Sequence, residues 1–327
     1  MSMLNFRRTT IGLMALLMGS VVGLRAQSGR GQQEVLHTGS VEVILLQPNV
    51  FLLAGAGGNV VAQVGADGVV LVDTGAGAAS ADVLAALKTL SPQPVRYIID
   101  SSADPDHVGG NEAVSKAGAS LDRSSGALTL AHERVLLRMS APTGEKALFS
   151  EEAWPRSTYI DKKSFYLNGE AIRIVHPPAA HTDGDSIVFF RRSDVLVTGD
   201  VFDQTRFPVI DVARGGSIDG EIAALNLLVD IAVSPTPLPW QEGGTIVVPG
   251  HGRVCESAEL VEYRDMVTII RDVVQDMIAK GMTLAQIQAA EPTKGYTEGY
   301  GADSGPWTTK MFVESVYKSL TAKKQTR

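Results

Sequence analysis

The sequence predicts an α/β chain, α+β in four layers, with two sheets packed face to face and helices on the outside. Two observations carry this reading. Short apolar runs rich in Val alternate with Gly, Pro and Asn punctuation, the pattern of strands separated by turns. The order of strands followed by a helix also occurs twice, before and after about residue 140, and two packed sheets with outer helices satisfy that order. Of the 327 residues, 44% are hydrophobic and 20% charged, which is enough to bury such a core.

The elements follow from the N-terminus. Arg7 and Arg8 precede an apolar run from Ile11 to Leu24, and Leu24-Arg25-Ala26 offers a small-residue cleavage point before Gln27. That layout, over residues 1–26, predicts a secretory signal peptide. The run is shorter than the roughly 20 residues a spanning helix needs, and an uncleaved anchor is the alternative. The chain is therefore expected in the periplasm or secreted, with a mature start near Gln27. Residues 27–40 lack an apolar period and read as a flexible lead-in.

Val41–Leu46, Val50–Leu53, Asn59–Val64 and Val69–Asp73 read as strands, broken by Pro48-Asn49, Gly55 to Gly58 and Asp67-Gly68. Ala78–Leu90 has helical spacing, and Val95–Ile99 is a buried type of strand. Leu128–Met139 reads as a helix, then Ala171–Val175, Ser186–Phe190 and Val195–Thr198 as strands. Glu221–Val233 looks helical and Thr245–Val248 is a final strand. Ala258–Lys280, Leu284–Ala290 and Lys310–Leu320 follow as helices. These place a main domain over 41–255 and a helical extension packed on it over 256–327.

Composition narrows the function. A single Cys excludes a disulfide framework and any multi-Cys zinc site. A net charge of −7 with no basic run argues against nucleic acid. A small-molecule substrate is the expected partner, with no membrane contact beyond the signal segment; the oligomeric state is open.

The informative residues sit at strand ends. Val95–Asp100 runs into Ser101-Ser102-Ala103-Asp104-Pro105-Asp106-His107-Val108-Gly109-Gly110-Asn111. A turn leaving a strand can aim neighbouring Asp and His at one point, and both are good ligands for zinc or iron. The alternative is a capping loop in which Asp106 or Asn111 holds helix N–H groups. Three later segments repeat the pattern: Ala180-His181-Thr182-Asp183-Gly184-Asp185 before a strand, Gly199-Asp200 after one, and Pro249-Gly250-His251-Gly252 after another.

These four motifs in this order resemble the metallo-β-lactamase superfamily, over roughly Val41 to Cys255. The resemblance implies an αββα sandwich with the ligand loops along one edge. It implies metal-ligand positions at His107, His181, Asp200 and His251, and it places Asp106 where the family's Asp binds metal and orients the attacking water. Val72-Asp73-Thr74-Gly75 is similar to the family's early strand-end motif, whose Asp supports the site. The departure lies in the loop. The family's His-x-His-x-Asp-His reads Ser102-Ala103-Asp104-Pro105-Asp106-His107 here, so both histidines that would join His181 around a first metal are replaced. Ser102 is a poor ligand. An acidic residue at Asp104 is similar to the di-iron flavoprotein branch, which carries a longer Glu there. The second position keeps Asp106, His107, Asp200 and His251.

The resemblance implies an exported metal-dependent hydrolase in which a metal-activated water attacks an ester, amide or lactam type of substrate. Asp106 is the expected catalytic residue, and Asp104, Asp106, His107, His181, Asp200 and His251 are the candidate ligands. Zn²⁺ is expected, one ion, or two if Asp104 reaches; Asp104 adds charge that would favour Fe or Mn. The alternative is a non-catalytic ligand-binding protein on the same fold. A di-iron redox protein is disfavoured because the length leaves no flavodoxin-like domain.

Other residues read as structural. His132 lies within the predicted helix beside Glu133 and Arg134 and is expected to be solvated. His176 is expected to pack at a strand end, His37 to lie in the lead-in, and Cys255 to be a free buried thiol. Arg206-Phe207-Pro208 and Arg214-Gly215-Gly216-Ser217 would flank a pocket or form a surface loop. Tyr296, Tyr300 and Trp307 could roof the site.

Overall fold

A computed structural model describes residues 36–122, 126–141, 146–235 and 243–325. Residues 1–26, expected as a signal segment, and residues 27–35 of the expected lead-in lie outside the described residues. The strands are β1 (Leu36–Thr38), β2 (Val41–Gln47), β3 (Val50–Ala54), β4 (Val60–Gly65), β5 (Gly68–Val72), β6 (Val95–Ile99), β7 (Leu128–His132), β8 (Ser157–Tyr159), β9 (Lys162–Leu167), β10 (Glu170–Val175), β11 (Ile187–Phe190), β12 (Val195–Val197) and β13 (Ile246–Val248). The helices are α1 (Ser80–Leu90), α2 (Pro105–Val108), α3 (Asn111–Ala117), α4 (Glu133–Ser140), α5 (Ile218–Ile231), α6 (Ser257–Ala279), α7 (Leu284–Ala289), α8 (Thr297–Tyr300) and α9 (Thr309–Gln325).

Strands β1 to β8 form one sheet in chain order, and β13-β12-β11-β10-β9 form the second. Hairpin turns make β1 to β5 antiparallel, whereas crossovers through helices make β5, β6, β7 and β8 parallel. The two sheets pack face to face. Val61, Val70 and Ile99 of the first meet Ile172, Val188 and Phe190 of the second in a shared buried cluster. Outside the first sheet, Leu71 and Ile98 pack on Val83 and Leu87 of α1 and Val114 of α3. Outside the second, Leu196 and Val247 pack on Leu225 and Leu228 of α5, Val267 and Ile270 of α6, and Phe312 and Val316 of α9. The predicted layers are therefore present: helices, sheet, sheet, helices.

Parallel strands buried on both faces read as continuous apolar runs, which is why β5 (GVVLV) is buried at every position. Full burial of one such side chain contributes about 1.5–3 kcal/mol, so the sandwich is set by these runs more than by its turns.

Three expectations need correction. Leu128–Met139 is not one helix: it is β7 followed by α4, with His132 extended at φ −62°, ψ 147°. Its apolar spacing fits either state, and the parallel pairing of Tyr97, Ile98 and Ile99 with Leu128, Thr129 and Leu130 decides for strand. His132 is accordingly buried, not solvated; its ring stacks on His176 at 3.7 Å and its Nδ1 accepts the Arg134 N–H. The lead-in is not structureless to residue 40, because Leu36, His37 and Thr38 pair with Val43, Glu42 and Val41. No helix among the described residues is long and apolar enough to cross a membrane.

Candidate metal centre

The site lies where β5, β6, β12 and β13 end and where the chain enters β11. Asp73 follows β5 in the left-handed region, at φ 64°, a conformation Asp tolerates better than most residues. Both its oxygens are committed: Oδ1 accepts the Ser101 N–H at 2.7 Å, and Oδ2 accepts the Ser101 hydroxyl at 2.6 Å. Nδ1 of His107 lies 2.7 Å from the same Oδ2. This bond places the proton on Nδ1 and turns Nε2 into the site. A carboxylate behind a histidine in this way is the usual support of a metal ligand.

The residue before a proline avoids the α region, and Asp104 is extended at φ −79°, ψ 142° before Pro105 opens α2. Asp106 and His107 then stand in the first turn. His107 is fully buried, and Gly58 makes room for it, since a Cβ there would lie 2.8 Å from the His107 ring. Neither Asp106 nor Asn111 caps a helix. Asn111 instead donates to both oxygens of Asp100 at 3.1 Å and accepts from Thr74 at 2.8 Å, tying the ends of β5 and β6 together.

Two donor clusters result. In one, ligand atoms of Asp106, His107 and His251 lie within 4.8 Å of one another; in the other, those of Asp104, His181 and Asp200 do. Asp200 joins them. Its Oδ1 is 3.0 Å from His107 Nε2 and 3.6 Å from His251 Nε2, and its Oδ2 is 3.8 Å from His181 Nε2. Asp106 Oδ2 lies 3.2 Å from His251 Nε2. The charges are strongly coupled. Burial opposes ionisation of Asp200, but the facing His107 and His181 hold its carboxyl far below the usual range. Burial opposes the His181 cation as well, and the hydrogen bond to Asp104 with the field of Asp200 raises it to about 10. Asp106 is kept low chiefly by the hydrogen bond from His251.

The two clusters differ as cation sites. The first offers two imidazoles and two carboxylates, counting Asp200, an N/O set that zinc, iron or manganese accepts. The second does not fit as well. Ser102 contributes only a hydroxyl, 3.4 Å from Asp200 Oδ2. Asp104 already binds the Arg214 guanidinium through both oxygens, and its Oδ2 also lies 2.8 Å from His181 Nε2.

A cavity of about 260 Å³ opens over both clusters, lined by Asp104, Asp106, His181, Asp200, His251 and the loop residues Arg206, Val209 and Arg214. The two loop arginines thus flank the site, while Phe207 between them is buried. Tyr296, Tyr300 and Trp307 do not roof it; they pack against the helical cluster on the second sheet. Cys255 is buried, its thiol pushed up to about 12 by burial, which leaves it unfit as a nucleophile. The sequence reading missed Val209, whose carbonyl lies 2.6 Å from His181 Nδ1, because no side chain announces such a contact. It also missed the Asp104–Arg214 pair.

The sequence model described as the metallo-beta-lactamase superfamily matches residues 53–251. None of the curated proteins compared by sequence matches. Among solved structures, a metallo-beta-lactamase from Pontibacter korlensis is similar at 19% identity and a TM-score of 0.54, over 70% of this chain and 99% of that one. The sec-alkylsulfatase Pisa1 from Pseudomonas sp. is similar at 16% identity and a TM-score of 0.57, over 84% of this chain but about half, 49%, of that one. The DIM-1 metallo-beta-lactamase is similar at 15% identity and a TM-score of 0.51, over 72% of this chain and 99% of that one. At such identities the likeness is one of fold.

Proposed function

Because the chain belongs to the metallo-β-lactamase superfamily, most of whose members are metal-dependent hydrolases, we propose that it is an exported hydrolase working with one divalent cation at Asp106, His107, His251 and Asp200. One observation carries this reading: those four donors converge at the sheet edge, with His107 already oriented by Asp73. Zinc suits the set best, with iron or manganese as the harder alternatives. A cation bound there supplies a Lewis acid and brings the pKa of a bound water down to about 7.

The residues of the chain divide the remaining work. Asp73 fixes the His107 tautomer. Asp106, partly open to the cavity, is placed to orient the attacking water and accept its proton. His181 lines the same cavity and holds a proton at Nε2 against Asp104, from where it is placed to give that proton to a leaving group. The cavity admits a small reacting group, and an ester, amide or lactam type of substrate is the proposed class. Its fold neighbours carry the names of β-lactamases and of a sulfatase, so the fold alone does not choose the bond. Residues 1–26 are proposed to act as the export signal.

The engagement of Asp104 by Arg214 favours a second reading, a ligand-binding protein that keeps the fold without turnover. One experiment separates the two: elemental analysis of the purified protein, then a panel of ester, lactam and sulfate-ester substrates with and without a chelator. Chelator-sensitive turnover is expected. Absence of a copurifying metal together with no zinc binding at micromolar concentration would overturn the hydrolase reading.

A further inference from the structure

Arg214 is held more firmly than a surface arginine. Asp211 caps the short turn that carries it, accepting the Arg214 N–H at 2.9 Å through Oδ1, and binds Nε at 2.6 Å through Oδ2. The Arg214 carbonyl in turn accepts the Asp183 N–H at 3.0 Å and Nη2 of Arg138 at 2.6 Å. The loop also lies directly on His181: the Asp211 N–H donates to the His181 carbonyl at 3.0 Å, and a Cβ at Gly216 would sit 2.2 Å from that carbonyl oxygen. The guanidinium projected from this frame forks onto both oxygens of Asp104. A guanidinium fork on a carboxylate is a strong, charge-assisted and geometrically specific contact.

We propose that Arg214 is a built-in cation that closes the Asp104–His181–Asp200 cluster, so that of the two donor clusters only the one with Asp106, His107 and His251 takes a metal ion. The inference rests on the one-cation reading of the site. Both oxygens of Asp104 are engaged, one of them by His181 as well, so three of the carboxylate's roughly four acceptor positions are taken before any ion arrives. A divalent ion there would also stand within a few ångströms of a fixed positive charge, which opposes it. The loop thus brings to Asp104, in covalent form, the positive charge that a second metal ion would bring.

Zinc titration of the full chain, followed by calorimetry and by elemental analysis after dialysis, tests this. Arg214→Gln is expected to bind one zinc more than the unsubstituted chain, and Arg214→Gln combined with Asp104→Asn to lose that extra ion. Arg214→Lys, which keeps the charge, is expected to gain none. The inference is overturned if Arg214→Gln gains nothing, or if it loses the ion already bound, because Arg214 would then be a support and not a closure. Should Arg214→Gln fail to fold, Arg214→Met keeps the apolar stem while removing the charge and the fork on Asp104, and is expected to admit the second zinc; its failure to do so would count equally against the inference. The two readings fail separately: the zinc count of the unsubstituted chain judges the hydrolase proposal, and the Asp104-dependent gain judges Arg214.

Discussion

Oδ2 of Asp73 and Nδ1 of His107 lie 2.7 Å apart, with both groups buried, and this contact fixes which nitrogen of His107 faces the site. Asp73→Asn keeps a side chain that tolerates φ 64° but removes the anionic acceptor. Support residues of this kind typically cost about 10–100-fold in metal affinity when lost. Asp73→Asn should therefore weaken zinc binding by about that factor with little change in fold. Calorimetric titration beside far-UV circular dichroism checks both halves.

His251→Ala and Asp200→Ala remove atoms from the donor set itself, so each should cost at least about as much affinity as a support residue, ~10–100-fold. His132→Ala is unsuitable as their control, since His132 is buried and caps α4. His37, exposed on β1, is the better one, and His37→Ala should leave metal content unchanged. Equal metal content in all three variants would mean that the ligand assignment is wrong.

His132 gives the fold a defined acid sensitivity. Burial, then the field of the stacked His176, lowers its pKa to about 4 from an ordinary 6.5. The unfolded chain thus binds a proton that the folded chain refuses between those values. The stabilising contribution is complete above pH 6.5 and is lost as the pH falls from there through about 4. Urea unfolding midpoints should drop over that interval, and His132→Phe should flatten the drop. An unchanged slope in the variant would put the sensitivity elsewhere.

Phe312 of α9 is fully buried and stacks on Phe207 with ring centroids 4.9 Å apart and planes 4° from parallel. Phe207 lies two residues before Val209, on the loop that lines the site. Phe312→Ala should cost about 3–5 kcal/mol, the usual range for a buried aromatic. Guanidinium unfolding followed by one cooperative transition is expected, since α9 shares its apolar cluster with the second sheet. An early separate transition would show that the helices beyond residue 256 melt on their own.

The parts of this architecture that could be read in the sequence are those with local causes. The Val-rich runs, and the Asp and His at their ends, announce themselves within a few residues. Strand β9 did not, although Asn168-Gly169, both at positive φ (52° and 73°), marks its hairpin with β10. Lys162, Ser164 and Tyr166 face outward and Lys163 takes one of the three inner positions, so the apolar signal is half-strength at a sheet edge. The helix expected over Leu128–Met139 holds from Glu133 onward but failed over Leu128–His132, because pairing with β6, more than 30 residues away, overrode a spacing that suited both states. The Asp104–Arg214 contact joins residues 110 positions apart and leaves no local trace.

That contact sets the terms for rebuilding the altered loop. If the loop corresponds to the family's as its sequence resemblance implies, Ser102 and Asp104 take the places of two histidines, and Asp104 already faces His181 at 2.8 Å. Ser102→His with Asp104→His would bring two imidazoles toward His181, and three nitrogens plus water make a tetrahedral zinc site at about 2.0–2.1 Å. The same substitution removes the carboxylate on which Arg214 forks and leaves the guanidinium to Asp211 alone. The double variant should therefore bind about two zinc ions where the unsubstituted chain binds about one. Asp104→His alone should show only a partial gain, being one ligand short. Adding Arg214→Gln to the double variant should tighten the second ion further, because a fixed positive charge no longer faces it. Elemental analysis across the series reads each step. If the double variant gains nothing even with Arg214 neutralised, the backbone after β6 does not present residues 102 and 104 to His181, and the correspondence of this loop with the family's falls.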